Sequence, residues 1–365
     1  VLYIAFLTNL AVRWYVHVAW TSLPYYDLYR WNIAERQEVS QMCMAASYKG
    51  KEHYFGRNLD LEVSFGQRVV VTPRDYEFRY RNGILDRGHY AMIGMALVSD
   101  DYPLYFEATN EKGLSIAGLN FPGNAHYCGH VKGKDNVASF EFIPWVLGRC
   151  KDLDEARSLI KGVNITDTPF NESLPPSPLH WMVSDKNGSI VVEQTVSGLH
   201  VYDNPVGIMT NNPESPYHML NLANHMGSSS KVPKNRLCPG VDLQQYSRGM
   251  GSIGIPGDLS SVSRFVKAVF TKMNSRSPNT EDGDLTQFFH IMDSVQQQLG
   301  CCDLGNGKYE YTIYTSCCNT DRGIYYYRTY GNSQISGVDM HHVNLDSDRL
   351  HQFPVIEGQH ILIQN

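Results

Sequence analysis

Chemistry could begin in this sequence at Met42-Cys43-Met44, because Met42 is the first methionine and a cysteine follows it directly. A chain trimmed to begin at Cys43 would carry a thiol and a free α-amine on one residue. A terminal amine titrates near ~7.7–8, so it can accept the proton of its own side chain at neutral pH. The ordinary alternative for a lone cysteine is a buried, inert thiol. A nucleophile of this kind needs a cation to favour the thiolate, a carboxylate to orient the amine, and N–H donors to receive an oxyanion. Arg57 and Asp60, close together in GRNLD (56–60), can supply the first two. Asn120 and Asn211, each ending a strand-like segment, can supply the third, and Arg264 can add positive charge. From the residues alone, the alternatives weigh equally. They are a surface ion pair of little worth for Arg57 and Asp60, turn formation for the asparagines, and a solvated helix charge for Arg264.

The elements that must position these residues can be read in outline. EHYFGR (52–57) reads as a short aromatic strand running into a polar turn at Asn58-Leu59-Asp60. QRVVVTP (67–73) and YAMIGMALV (90–98) are β-rich, the second apolar enough for a core strand. Leu114 to Leu119 follows a turn at Glu111-Lys112-Gly113. Asp152 with Glu155 forms a capping box for a helix from Leu153 to Lys161. The Pro-rich stretch from Asn164 to Pro178 predicts a long exposed loop. HWMVSD and SIVVEQT flank Lys186-Asn187-Gly188, and the Asn-Gly pair predicts a hairpin with a type I′ turn. Ser260 or Ser261 caps a helix with a stripe at Val262, Phe265, Val266, Val269, Phe270 and Met273, and a second helix runs from Asp284 to Gly300. Aromatic strands close the chain at 309–316 and 323–330. Strands and helices come in separate clusters, which predicts an α+β layered fold.

Composition narrows the function. With 31 basic and 37 acidic residues, net charge −6 and no basic run, nucleic acid is not an expected partner. No apolar run beyond residue 42 is long enough to span a bilayer. The eight cysteines form no C-x-x-C and no zinc spacing, so they read as reduced thiols of a cytosolic protein. Neither a metal nor an organic cofactor is expected, since nucleophile and base share one residue. Residues 1–42 stand apart, with no Lys or Gly but three of the five tryptophans. They lack the basic start and cleavage site of a signal peptide. Two readings remain, a propeptide cut before Cys43 and translated upstream DNA. The second is preferred, because Gln37-Glu38-Val39 can be encoded with a purine-rich ribosome-binding sequence. The expected domain is therefore a single one at 43–365.

Met42-Cys43, GRNLD (56–60), DDYP (100–103) and NEKGLSIAGLNFP (110–122) resemble the choloylglycine hydrolase family. So do LHWMVSD (179–185), VVEQT (191–195), TNNP (210–213), IPGD (255–258) and SRF (263–265), in order along the chain. The resemblance implies an N-terminal-nucleophile hydrolase, an αββα sandwich of two antiparallel sheets between helical layers. It also implies a bacterial, cytoplasmic homotetramer that cleaves the amide joining a bile acid to glycine or taurine. It gives Cys43 as nucleophile with its α-amine as proton shuttle, Arg57 beside the thiolate and Asp60 on the amine. Asn211 and Asn120 become oxyanion donors, and Arg264 fixes the electrostatics. Leu59, Phe65, Phe170, Leu174 and Leu179 become the steroid pocket. Asparagine at 120 fits the bile salt branch, whereas the penicillin V acylases of the family tend to carry tyrosine there. The alternatives are a penicillin V or N-acyl-homoserine-lactone acylase, or an inactive bile-acid-binding homologue.

Overall fold

Alternation of apolar residues on two inward-facing sets of strands builds the centre of the protein, whose computed structural model describes residues 42–365. The expectations for residues 1–41 lie outside the described residues. One sheet contains β1 (Cys43–Lys49) paired antiparallel to β2 (His53–Leu61), with Ile208–Met209 outside β1. Beyond β2 lie the long strand Lys308–Asn319 and then Ile324–Thr329 and Asn332–Asp339, with Cys302–Gly305 folded back on Lys308–Asn319. The second sheet has eight strands, ordered 198–203, 188–195, 179–185, 115–120, 102–110, 92–99, 68–72 and 351–354, all antiparallel.

Three cores separate four layers. Between the sheets lie Cys43, Phe55, Leu59, Val69, Ile93, Leu119, Met182, Tyr314 and Tyr325 among others. The second sheet covers its outer face with the helices Phe142–Arg149 and Leu153–Ile160. The first covers its own with Ser261–Asn274 and Glu281–Asp293, packed on Met44, Ala46, Tyr54 and Cys317. Along β1 and β2 the odd residues therefore face the other sheet and the even ones face the helices. The arrangement is the expected αββα sandwich.

Four local expectations are corrected. Asn58, Leu59 and Asp60 are not a turn: β2 runs unbroken to Leu61 and is buried at every position, because neighbours on both sides satisfy its ladder. Asn164 to Thr166, placed in an exposed loop by proline-rich surroundings, belong to a buried strand, Val163–Thr166, paired parallel with Asp135–Ala138. The helix expected from Asp284 starts at Glu281, where Thr280 accepts from the Gly283 amide, and stops at Asp293. The 179–195 hairpin forms, but Lys186 and Asn187 do not take the positive φ of a type I′ turn. The Asp185 carboxylate accepts the amides of Asn187 and Gly188 at 2.7 and 3.2 Å and stabilises a different turn. Positive φ at both turn residues occurs instead at Asp100 and Asp101, between Ser99 and Tyr102.

Candidate active site

Cys43 is the first residue of β1, 3% exposed, and its odd position turns Sγ into the inter-sheet core. Arg57 lies on the same face of β2 and is 1% exposed. Its Nη1 donates to the carbonyls of Gly118 (2.6 Å) and Phe106 (3.1 Å), which fixes the guanidinium between the sheets. Burial pushes the Cys43 thiol up, and the Arg57 charge is the largest influence holding it down.

Asp60, an even residue, reaches the helix side. Its Oδ1 accepts from Thr312 Oγ1 at 2.6 Å, Oδ2 lies 3.6 Å from Arg264 Nη1, and burial raises its pKa to about 6. The strand pleat thus explains how two residues of one motif serve opposite sides of Cys43. Arg264 sits in the first turn of helix Ser261–Asn274, which Ser260 caps by accepting the Ser263 amide. Buried rather than solvated, Arg264 donates to the Cys43 carbonyl (2.9 Å) and to Asn211 Oδ1 (3.0 Å).

Asn211 is the hub. Its Oδ1 accepts the Cys43 backbone N–H at 2.6 Å, and its Nδ2 donates to the Asn120 carbonyl at 2.7 Å. The second N–H of that amide makes no hydrogen bond to the described residues. Asn211 is held in turn: His218 Nε2 lies 2.9 Å from its carbonyl, and Thr210 is tied to Ser261 at the helix start. The six predicted polar residues therefore meet in one place. The Cys43 nitrogen, here a peptide nitrogen, donates to Asn211, and Asn120 enters the network through its backbone carbonyl.

The apolar candidates divide. Leu59 is the Cα partner of Cys43 across β1 and β2, and Leu179 that of Asn120. Phe65 is exposed and stacks on Phe106 at 6.4 Å. Phe170 has a packing reason that its loop composition concealed: its ring sits edge-on to Phe140 at 5.2 Å, beside Tyr102 and under Arg81. Its other neighbourhood is a cleft of about 480 Å³ lined by charged residues, including Asp75, Glu77, Arg79 and Asp101. Leu174 closes the tight turn back onto Phe170.

Two carboxylates were missed. Glu107, 1% exposed, lies 3.8 Å from Arg57 Nε and accepts from Tyr314 OH (2.8 Å), Ser316 Oγ (2.9 Å) and Tyr325 OH. A single acid in the aromatic segment YPLYFEATN was the available signal. Glu310, fully buried, accepts the Met42 N–H at 2.8 Å. Among the described residues no cluster has the make-up of a metal site.

The family model of linear amide C-N hydrolases, choloylglycine hydrolase family, matches residues 43–353. The chain is 51% identical to a bile salt hydrolase/transferase of Lactiplantibacillus plantarum over 86% of this chain and 97% of the relative. It is 38% identical to a bile salt hydrolase/transferase of Clostridium perfringens over 85% and 95%. A solved structure of a variant conjugated bile acid hydrolase from Clostridium perfringens superposes with TM-score 0.82 and 36% identity, over 88% of this chain and 100% of that one. A penicillin V acylase from Agrobacterium tumefaciens shares the fold with TM-score 0.67 and 18% identity, over 86% and 92%.

Proposed function

The chain belongs to the choloylglycine hydrolase family of linear amide C-N hydrolases, and we propose that it hydrolyses the amide joining a bile acid to glycine or taurine. The observation that carries the proposal is the convergence of Cys43, Arg57, Asp60, Asn211 and Arg264 at the start of β1. In this reading the functional unit begins at Cys43, where the family match also begins. Cutting the Met42–Cys43 bond frees the α-amine, which takes the thiol proton. Sγ attacks the amide carbonyl, and the free N–H of Asn211, with Asn120 beside it, receives the oxyanion. The C–N bond breaks as the ammonium protonates the leaving amino group. Water, deprotonated by the amine, then cleaves the cholyl thioester and restores the thiol.

Arg57 favours the thiolate, Asp60 orients the amine, and Arg264 holds the Cys43 carbonyl and Asn211 in register. The pairing of Leu59 with Cys43 and of Leu179 with Asn120 supports their places in a steroid pocket, to which the family resemblance adds Phe65, Phe170 and Leu174. The same reading gives a bacterial, cytoplasmic enzyme, supported by eight free cysteines. It also gives a homotetramer. Between Leu220 and Ile253 an irregular arm exposes Met226, Leu237, Leu243 and Tyr246, apolar surface of the kind subunit contacts cover.

The test is product release from glycocholate, taurocholate and penicillin V, with Cys43 verified as the first residue by intact mass. Glycine or taurine release with little phenoxyacetate is expected. The opposite pattern would place the chain in the acylase branch.

A further inference from the structure

Among the described residues, three buried acceptors near the start of β1 have no hydrogen-bond donor: Asp60 Oδ2, Glu310 Oε2 and Gln297 Oε1. All three residues are fully buried. They form one connected group: Thr312 Oγ1 donates to Asp60 Oδ1 and accepts the Gln297 amide at 2.9 Å, and Gln297 Nε2 donates to Glu310 Oε1 at 3.3 Å. Orphan acceptors in a dry site call for a donor, and an ammonium offers three N–H groups. In the described chain the Cys43 nitrogen is a peptide nitrogen with one N–H, given to Asn211, while the Met42 N–H goes to Glu310 Oε1. Cutting the Met42–Cys43 bond gives the Cys43 nitrogen two more N–H groups and takes from Glu310 its amide donor.

We infer that Glu310, with Gln297 bonded to it, completes the amine site beside Asp60. It holds the residue before Cys43 in the uncut chain and faces the α-ammonium as a second carboxylate in the matured one. The inference rests on the reading of Cys43 as an N-terminal nucleophile. Burial and then the Asp60 charge raise Glu310 to about 8, against the lowering effect of the Met42 N–H and Arg264. An added ammonium lets Glu310 ionise beside Asp60. Glu310 is then a positioning residue that keeps protons on the amine–thiol pair to higher pH. The other charged or titratable groups facing this pair are Arg57 and Asp60 from β2, Tyr314 from the same strand as Glu310, and Arg264 from its helix. Cys302 faces Glu310 from the neighbouring strand.

The test is the pH dependence of Cys43 alkylation by iodoacetamide, followed on the N-terminal peptide of the matured protein. Glu310→Gln, which keeps shape and removes charge, is expected to move the alkylation midpoint to lower pH by about one unit. Glu310→Asp should fall between it and the parent. It serves as the readout should Glu310→Gln fail to fold. A Glu310→Asp midpoint unmoved from the parent, or a Glu310→Gln midpoint unmoved in a folded protein beginning at Cys43, overturns the inference. Because alkylation needs no substrate, absence of glycine release by the parent would instead count against the proposed reaction.

Discussion

Replacing Glu107 by glutamine removes one charge from the inter-sheet core while preserving shape. The lost attraction can be sized from the geometry. At 3.8 Å and an effective dielectric constant near ~20, Arg57 and Glu107 attract by about 4 kcal/mol. The hydroxyls of Tyr314, Ser316 and Tyr325 add charge-assisted hydrogen bonds that an amide oxygen accepts more weakly. The substitution also leaves the Arg57 charge less compensated, and breaking a buried pair costs about 3–5 kcal/mol. That is the expected loss for Glu107→Gln, read as a lower urea midpoint at unchanged slope and fixed protein concentration. Burial pushes the Glu107 carboxyl up, whereas Arg57 and the three hydroxyls oppose it. A loss below about 1 kcal/mol would mean the carboxyl is already protonated in the fold and Arg57 has no counter-ion there.

Cys43→Ser should keep the fold and lose most turnover, because a serine hydroxyl is the weaker nucleophile beside an amine; circular dichroism and glycine release check the two halves. Asn211→Ala removes the acceptor of the Cys43 nitrogen and an oxyanion donor. It should lower kcat by roughly 10²–10³, read in steady-state hydrolysis of glycocholate. His53, 2% exposed between Ser47 and Thr320, has its pKa lowered by burial to about 4 from 6.5. Its folded value lies below its unfolded one, so its neutral form adds nothing to the pH dependence above 6.5. Stability is lost as pH falls from 6.5 to 4, by about 3 kcal/mol once pH is below 4. His53→Gln should flatten that acid slope in urea titrations between pH 7 and 4.

The sequence revealed the residues that touch Cys43 better than the reasons they touch it. Cys43, Arg57, Asp60, Asn211 and Arg264 were found through their types and motifs, and the structure brings them together. The strand parity that sends Arg57 to one face and Asp60 to the other was hidden, because Asn58 to Asp60 reads locally as a turn. What makes it a strand is pairing with Lys308–Asn319, some 250 residues away as for Thr312 and Asp60, which no local pattern reports. Glu107 and Glu310 escaped for the same reason, since their partners, Tyr314 and Met42 among them, lie far away along the chain. Phe170 shows the converse: a polar, proline-rich loop hid an aromatic cluster with Phe140 and Tyr102. The Asn187-Gly188 signal gave the hairpin but not its turn, which Asp185 decides through two side-chain hydrogen bonds.

The central claim, that Cys43 is the nucleophile, is tested most directly by titrating the matured protein with iodoacetamide while measuring glycine release from glycocholate. The exposed Cys128 and Cys301 will react too, so modification must be followed peptide by peptide. The account predicts that activity falls in proportion to modification of the peptide beginning at Cys43 and that glycocholate slows both. Full modification of Cys43 with glycine release intact would contradict it.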